Sequence, residues 1–284
     1  MKKIGIIIKR RDPKAAQAAS ALIQWLRQAG HRVQYDCEAR GVVRRAGGVS
    51  KETLVEGADL LVVLGGDGTM LAAARLEGGR GIPILACNMG GLGFLAESTL
   101  EDLYPNLQSF LEGKAEIDER MTLKVQAVVK GLRRKVYRVL NDVVVAKSSI
   151  ARLVNLTVCI DGRQINRYRG DGVIVATPTG STAYSLAAGG PLVVPSHQSI
   201  IVTPLAPHSL TNRTILFPPE ITLEICSVPH GAEVFVTLDG QEGFPLPDGM
   251  RIEVSRHPDP VLLIKNASRD FYDVLRSKLR WGDQ

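Results

Sequence analysis

The stretch Ala58-Asp59-Leu60-Leu61-Val62-Val63-Leu64-Gly65-Gly66-Asp67-Gly68-Thr69-Met70-Leu71 decides the fold. Leu60 to Leu64 is an unbroken apolar run, too short for a helix and closed by glycine, so it predicts a strand buried on both faces. Gly65, Gly66 and Gly68 then permit positive φ and put no Cβ in the way, so backbone N–H groups can approach a ligand as closely as a phosphate requires. Thr69 is placed to cap the next segment, and Met70 to Leu76 is rich in helix formers. A helix starting there aims its positive end and its free N–H groups at the same spot.

Asp67 stands out in such a turn. A bare carboxylate repels phosphate unless a divalent cation, or a proton to be accepted, offsets it. Asp67 therefore points to phosphoryl transfer rather than binding alone, and it is the candidate catalytic residue. An isolated Asp-Gly is an ordinary turn in which Asp bonds its own backbone. The strand before it, the three glycines around it and the helix after it together favour the phosphate reading.

Outward from this stretch, Ile4 to Ile8 reads as a buried strand and Lys14 to Ala29 as an amphipathic helix, with Ala18, Leu22, Trp25, Leu26 and Ala29 on one face and Gly30 at its end. His31 to Tyr35 is a second strand. Ser50 is placed to cap a short helix, and Ile82 to Cys87 is a further strand. Gly91-x-Gly93-x-x-Ala96 fits a loosened dinucleotide fingerprint. That fingerprint opens a helix directly, however, whereas Ser98-x-x-Glu101 reads as a capping box that starts the helix Thr99 to Leu111 several residues later. Strand and helix thus alternate through residue 115, which predicts an α/β domain with a Rossmann-like parallel sheet and ligands at the carboxyl ends of its strands.

From Glu116 the pattern changes to short β segments, ending with Val261 to Lys265, and Asp161-Gly162 and Asp239-Gly240 sit where hairpin turns belong. Residues 116–266 are therefore expected to form a mainly-β domain. Ser268 to Leu279 returns to helical spacing, with Phe271, Val274, Leu275 and Leu279 on one face, inside a closing segment 267–284.

A chain of 284 residues with 45% apolar content has ample material for two cores. The net charge of +6 suits an enzyme of polyanionic nucleotides. The basic run Lys130 to Arg138 reads better as a solvated hairpin than as a nucleic-acid surface, and Arg44-Arg45 as part of a solvated loop. Cys37, Cys87, Cys159 and Cys226 form no Cys-x-x-Cys pair, which argues against a zinc site and for reduced thiols in the cytoplasm. The expected protein is soluble, without a membrane span. There is no Walker P-loop, since Gly113-Lys114 is followed by Ala115, and no Gly-x-Ser-x-Gly elbow.

Two polar stretches remain. Asn141-Asp142 leads a strand and offers a paired donor and acceptor for ribose hydroxyls, or else is a plain strand-leading turn. Thr177 to Ser185 concentrates hydroxyls and glycine between apolar elements, so that a flat base and a ribose can lie close to backbone, with the Tyr184 ring free to stack.

Gly65-Gly66-Asp67-Gly68-Thr69 resembles the signature shared by NAD kinases, diacylglycerol-type lipid kinases and, loosely, phosphofructokinases. Together with Asn141-Asp142, Arg169-Gly170-Asp171-Gly172 and Thr177-Pro178-Thr179-Gly180-Ser181-Thr182-Ala183-Tyr184-Ser185, it resembles the NAD kinase family over most of the chain. The resemblance implies transfer of a phosphoryl group from ATP, with a divalent cation such as Mg²⁺, to the 2′-hydroxyl of the adenosine ribose of NAD. Asp67 would accept the hydroxyl proton, and Gly65, Gly66, Gly68, Thr69 and Asn88 would line the phosphate cleft.

NAD, lying between the domains, would be held by Asn141, Asp142, Thr179, Thr182, Ala183, Tyr184, Ser185 and Ala187. Gln241 and Arg152 follow by spacing, and Arg169 and Asp171 would lie near the nucleotides. A homodimer or homotetramer is implied, as is a C-terminal helix packed on the first domain. A lipid kinase shares the Gly-Gly-Asp-Gly turn but has no need of Asn141-Asp142 or the Thr179 to Ser185 pocket, and a non-catalytic NAD-sensing module has no need of Asp67. The Thr-x-Asp-x-Asp stretch of phosphofructokinases is absent.

Overall fold

Leu60–Leu64 is a strand with every residue buried, in a computed structural model that describes residues 1–36, 48–148, 153–228 and 233–281. The described residues fall into two units, residues 1–119 with 261–284, and residues 120–260.

In the first unit the elements run β1 (Lys3–Ile8), α1 (Pro13–Gln28), β2 (Arg32–Asp36), β3 (Gly48–Val49), α2 (Lys51–Val55), β4 (Leu60–Leu64), α3 (Asp67–Glu77), β5 (Ile84–Cys87), α4 (Leu100–Leu111) and β6 (Ile117–Arg120). The sheet order is β3-β2-β1-β4-β5, parallel throughout. Right-handed crossovers through helices impose this order on a βαβ chain. Asp12 caps α1 by accepting from the N–H groups of Lys14 and Ala15. The buried face of α1 is Ala15, Ala16, Ala19, Leu22, Ile23 and Leu26. That is a rotation from the expected stripe: Trp25 is only half-buried, edge-on to Tyr104 at 5.5 Å, and Ala29 is exposed. Ser50 caps α2 as expected. The capping box of α4 is Thr99 with Asp102, one residue later than the expected Ser98 with Glu101, because Ser98 is buried against Asn106.

The second unit holds β7 (Leu123–Val129), β8 (Leu132–Val139), β9 (Asp142–Lys147), β10 (Val154–Ile160), β11 (Arg163–Gly170), β12 (Gly172–Ala176), the single-turn α5 (Tyr184–Ala187), β13 (Ile200–Leu205), β14 (Ile215–Phe217), β15 (Thr222–Ser227), β16 (Val234–Leu238), β17 (Glu242–Pro245) and β18 (Met250–Arg256). They form two antiparallel sheets, β11-β10-β15-β18-β7-β8 and β14-β13-β12-β9-β16-β17. One core lies between the sheets, filled by Leu156, Val158, Ile225 and Val254 from the first and by Val143, Val145, Val173 and Val236 from the second. The alternate residues Val144, Ile174 and Ala176 face the other way and make a smaller cluster with Val193 and Ile201. Both expected hairpin turns are present, with positive φ at Asp161 and Gly162 and at Asp239 and Gly240.

One strand changes sides. Val261–Ile264 (β19), read from sequence as the end of the β domain, pairs in parallel with β5 inside the first sheet. It is followed in the same unit by α6 (Phe271–Leu279), which buries Val274 and Leu275 and is capped by Asp270. The compact units thus divide near residue 260, within the segment expected at 116–266. Apolar content alone cannot say which sheet a four-residue strand will join.

A chain ending at residue 260 should lose the folded first unit, because β5 becomes an unpaired apolar edge. One ending at residue 266 keeps β19 and should be destabilised less. Circular dichroism melts of both truncations check this, and equal behaviour would contradict the placement of β19.

Candidate active site

The order of the first sheet reverses between β1 and β4, and in an open α/β sheet that is where ligands bind, outside the carboxyl ends of the strands. Gly65–Thr69 follows β4 at this point. Lys9 follows β1, its N–H donating to Leu64 O at 2.9 Å; no pattern in the sequence singled this lysine out.

α3 begins at Asp67 with Gly66 as its cap, three residues earlier than expected, so Thr69 lies inside the first turn and does not cap it. The expectation of positive φ at Gly65, Gly66 and Gly68 is also corrected, since none of the three adopts it. They are glycines for want of space or for access. A Cβ at Gly65 would lie 2.5 Å from Thr69 Oγ1, whereas one at Gly68 would meet nothing within 4 Å. The turn is tight on its protein side and open on the other.

The Asp67 carboxylate accepts three backbone hydrogen bonds, from Phe94 N–H at 3.0 Å, Leu95 N–H at 3.1 Å and Ala96 N–H at 3.0 Å. A Cβ at Gly93 would sit 2.1 Å from Asp67 Oδ1, so glycine is required there. This settles the Gly91-x-Gly93-x-x-Ala96 resemblance to a dinucleotide fingerprint: its amides serve Asp67, and no helix opens until Leu100. Asn88 belongs to the same corner, with Oδ1 accepting from Gly90 N–H and Nδ2 lying beside Gly66 and Gly93.

In the second unit the turn 140–142 is held through its whole backbone. The N–H groups of Leu140, Asn141 and Asp142 all donate to the Asp239 carboxylate, at 3.0, 2.6 and 3.2 Å. Thr177 Oγ1 donates to Leu140 O, Thr177 N–H to Asn141 O and Asp239 N–H to Asp142 O. Asn141 Oδ1 is nevertheless buried with no partner. Asp142, 5% exposed, is held up to about 7 by burial and by the negative charge of Asp239, against the pull of the Tyr184 N–H. Near neutral pH a fraction of it is therefore protonated and can donate as well as accept.

The Thr177 to Ser185 stretch is a 3₁₀ turn over Thr179–Thr182 leading into α5. Tyr184 is 45% exposed, Thr182 and Ala183 are half-buried and Ala187 is exposed, so a ligand can reach them. Ser185 departs from expectation, being fully buried with its hydroxyl bonded to Thr203 Oγ1 at 3.0 Å. Thr179 is buried too, its carbonyl accepting from Thr182 Oγ1. Gln241 is exposed in the turn that carries Asp239.

Arg169 and Asp171 do not join this cluster. They precede β12 (Gly172–Ala176), whose far end, Ala176, pairs with Asp142; a five-residue strand separates the two ends by about 16 Å. Asp171 instead pairs with Lys147 at 2.6 Å, and Arg169 is exposed on β11. Arg152, Cys37 and Arg44-Arg45 lie outside the described residues. Sequence reading saw Asp239 only as a turn residue and left Thr177 off the site. No local pattern marks either, because their partners are 97 to 99 and 37 residues away.

Among the described residues no three His, Cys, Asp or Glu side chains gather as a metal cage, Cys87, Cys159 and Cys226 are free thiols, and no helix is long and apolar enough to cross a membrane.

Because the Asp142 proton is held more tightly in the fold than in the unfolded chain, its stabilising contribution is complete below about pH 4 and is lost as pH rises through about 7. Asp142→Asn carries no charge, so relative to the parent it should gain stability between those limits, on the order of a few kcal/mol at most, and gain none in acid. Thermal melts across pH check this; a difference between the two proteins that does not vary with pH would contradict it.

Residues 4–115 match the family model described as ATP-NAD kinase N-terminal domain, and residues 140–266 match the ATP-NAD kinase C-terminal domain. The chain is 40% identical to the NAD kinase of Geotalea daltonii and 42% identical to that of Geobacter sulfurreducens, each over 284 residues that cover all of both proteins. It is similar to yeast NADH kinase complexed with NADH, with a TM-score of 0.90, 26% identity and coverage of 100% of this chain and 89% of that one. It is also similar to an NAD kinase from Archaeoglobus fulgidus in complex with ATP, with a TM-score of 0.79, 25% identity and 98% of each chain covered. The lipid-kinase and sensing-module alternatives are not favoured. The chain belongs to the ATP-NAD kinase family, phosphotransferases that phosphorylate NAD to NADP using ATP.

Proposed function

We propose a division of labour for this transfer, in which the first unit holds the phosphates of ATP and the second holds NAD. The observation that carries it is Asn141 Oδ1, buried and without a partner in a turn whose backbone is otherwise fully bonded, beside Asp142 and the open face of Tyr184. A buried acceptor left unsatisfied costs about 1–3 kcal/mol, which a donor on a ligand recovers. Asn141 and Asp142 bind ribose or base polar groups, and Tyr184 stacks on a ring, with Thr182, Ala183, Ala187 and Gln241 around it. Thr179 and Ser185, facing inward, shape the pocket wall.

Gly65, Gly66 and Gly68 present backbone to phosphate at the start of α3, where the free N–H groups and the helix dipole favour an anion. Thr69 and Asn88 support the turn and Lys9 adds a cation. A carboxylate offers about four lone-pair directions, so Asp67 retains roughly one for the 2′-hydroxyl of the adenosine ribose, whose proton it orients and accepts.

A divalent cation, Mg²⁺ in this proposal, fits these residues as an ion carried on the phosphates and water with at most Asp67 at hand, since no protein cage is present among the described residues. It would neutralise charge on the transferring group. Arg169 and Asp171, distant from Asn141 within the chain, fit a homodimer or homotetramer in which a second copy presents that end of β12. The cytoplasm is the proposed compartment.

Incubation with ATP, Mg²⁺ and NAD should yield NADP. Asp67→Asn should lower turnover by about 10²-fold or more with NAD affinity little changed, and Tyr184→Ala should weaken NAD binding by on the order of 1–3 kcal/mol. Turnover of the Asp67 variant within a few-fold of the parent would reduce Asp67 to a loop clasp. Unchanged NAD affinity in a folded Tyr184 variant, measured by calorimetry, would remove the 179–187 stretch from the pocket.

A further inference from the structure

We infer that Asp239 is a positioning residue for NAD recognition, acting through the turn that presents Asn141 and Asp142; this rests on the reading of those two residues as NAD ligands. Asp239 lies in the β16–β17 hairpin turn, with φ 50° followed by Gly240 at 63°. Such a turn asks only for a residue that tolerates positive φ, and Asn or Gly satisfies it as well as Asp. Turn formation therefore does not explain a carboxylate.

What the carboxylate does is gather three consecutive N–H groups. Oδ2 takes Leu140, and Oδ1 takes Asn141 and Asp142. The three carbonyls of the same residues are taken by Thr177 Oγ1, Thr177 N–H and Asp239 N–H. Gly180 is pressed so close that a Cβ there would fall 2.0 Å from Asn141 O. The turn is thus braced from two sides, by Asp239 on its donors and by Thr177 and Gly180 on its acceptors.

With the backbone fixed, the Asn141 amide can point only where its own side-chain torsions allow. The Asn141 amide, its Oδ1 buried and unpartnered, is thereby held in place before a ligand arrives, and the ordering cost of binding falls accordingly. The same carboxylate also places a negative charge beside Asp142. The second Asp-Gly turn, Asp161-Gly162, has the same backbone form, with φ 51° and 74°, and its exposed aspartate serves as an internal control.

The test uses the full-length enzyme with Asp239→Gly and Asp239→Asn, both compatible with positive φ, and Asp161→Gly as control. Asp239→Gly should raise the Kd and KM for NAD by between about 10-fold and 10²-fold, the scale of a misplaced binding group, while the KM for ATP stays within about twofold. Asp239→Asn, which keeps one acceptor oxygen, should fall between Gly and the parent, and Asp161→Gly should match the parent. In an Asn141→Ala background, Asp239→Gly should cost less than it does in the parent, since it acts in part through Asn141.

Parent-like NAD affinity in both Asp239 variants would overturn the inference, as would equal rises in KM for NAD and ATP, or losses that multiply in the double variant. If Asn141→Ala alone left NAD affinity unchanged, the ligand reading would fail first and take this inference with it. Should Asp239→Gly not fold, the Asn variant decides: NAD affinity equal to the parent overturns the inference, and a selective loss supports it.

Discussion

Three amides converging on the carboxylate of Asp67 are the constraint on which the glycine turn of the first unit depends. Hydrogen bonds to a charged group are worth roughly 1.5–3 kcal/mol each, and Leu95 and Ala96 are buried, so leaving their N–H groups unpaired would cost comparably. The bonds tie the first turn of α3 to the otherwise irregular segment 88–96. Gly93 must lack a Cβ for the approach, and Gly65 must lack one for Thr69 to pack beneath the turn. A glycine-rich loop is floppy on its own. Here a buried anchor removes that freedom without covering the face that a phosphate would meet, where Gly68 stays open.

The second unit uses the same chemistry at another strand end. Asp239 collects the N–H groups of 140–142 as Asp67 collects those of 94–96. In both cases an aspartate organises backbone that neither helix nor sheet can satisfy, and buried backbone donors rarely go unpaired. In the second unit, the side chains proposed to bind nucleotide are then held by a residue, Asp239, that need not touch it. Preorganisation of this kind lowers the ordering cost of binding and keeps reacting groups near a productive geometry.

Much of this was legible in the chain itself. Leu60 to Leu64 could be little other than a buried strand, and the strand–glycine–helix run placed the glycine turn at its carboxyl end, as the structure has it. What was not legible depends on long-range pairing. β19 reads like any apolar strand, and only its parallel register with β5 assigns it to the first sheet. β11, with the sequence Arg163-Gln164-Ile165-Asn166-Arg167-Tyr168-Arg169-Gly170, shows no alternation because it is an edge strand with mostly exposed side chains. Ser185 looked like a ligand hydroxyl, but its direction is set by Thr203 on a neighbouring strand. Of Gly65, Gly66 and Gly68 after β4, none adopts the positive φ that glycine permits, and only Gly65 is demanded by close packing.

Amide hydrogen exchange at Phe94, Leu95 and Ala96 tests the central claim most directly, comparing the parent with Asp67→Ala and using the amides of β4 as an internal reference. The account predicts that the three are protected in the parent although they lie outside helix and strand, and that they lose protection together, by about tenfold or more, when the carboxylate is removed. Exchange at the same rate in both proteins, with β4 unchanged, would show that burial alone holds the segment and that Asp67 does not organise the site.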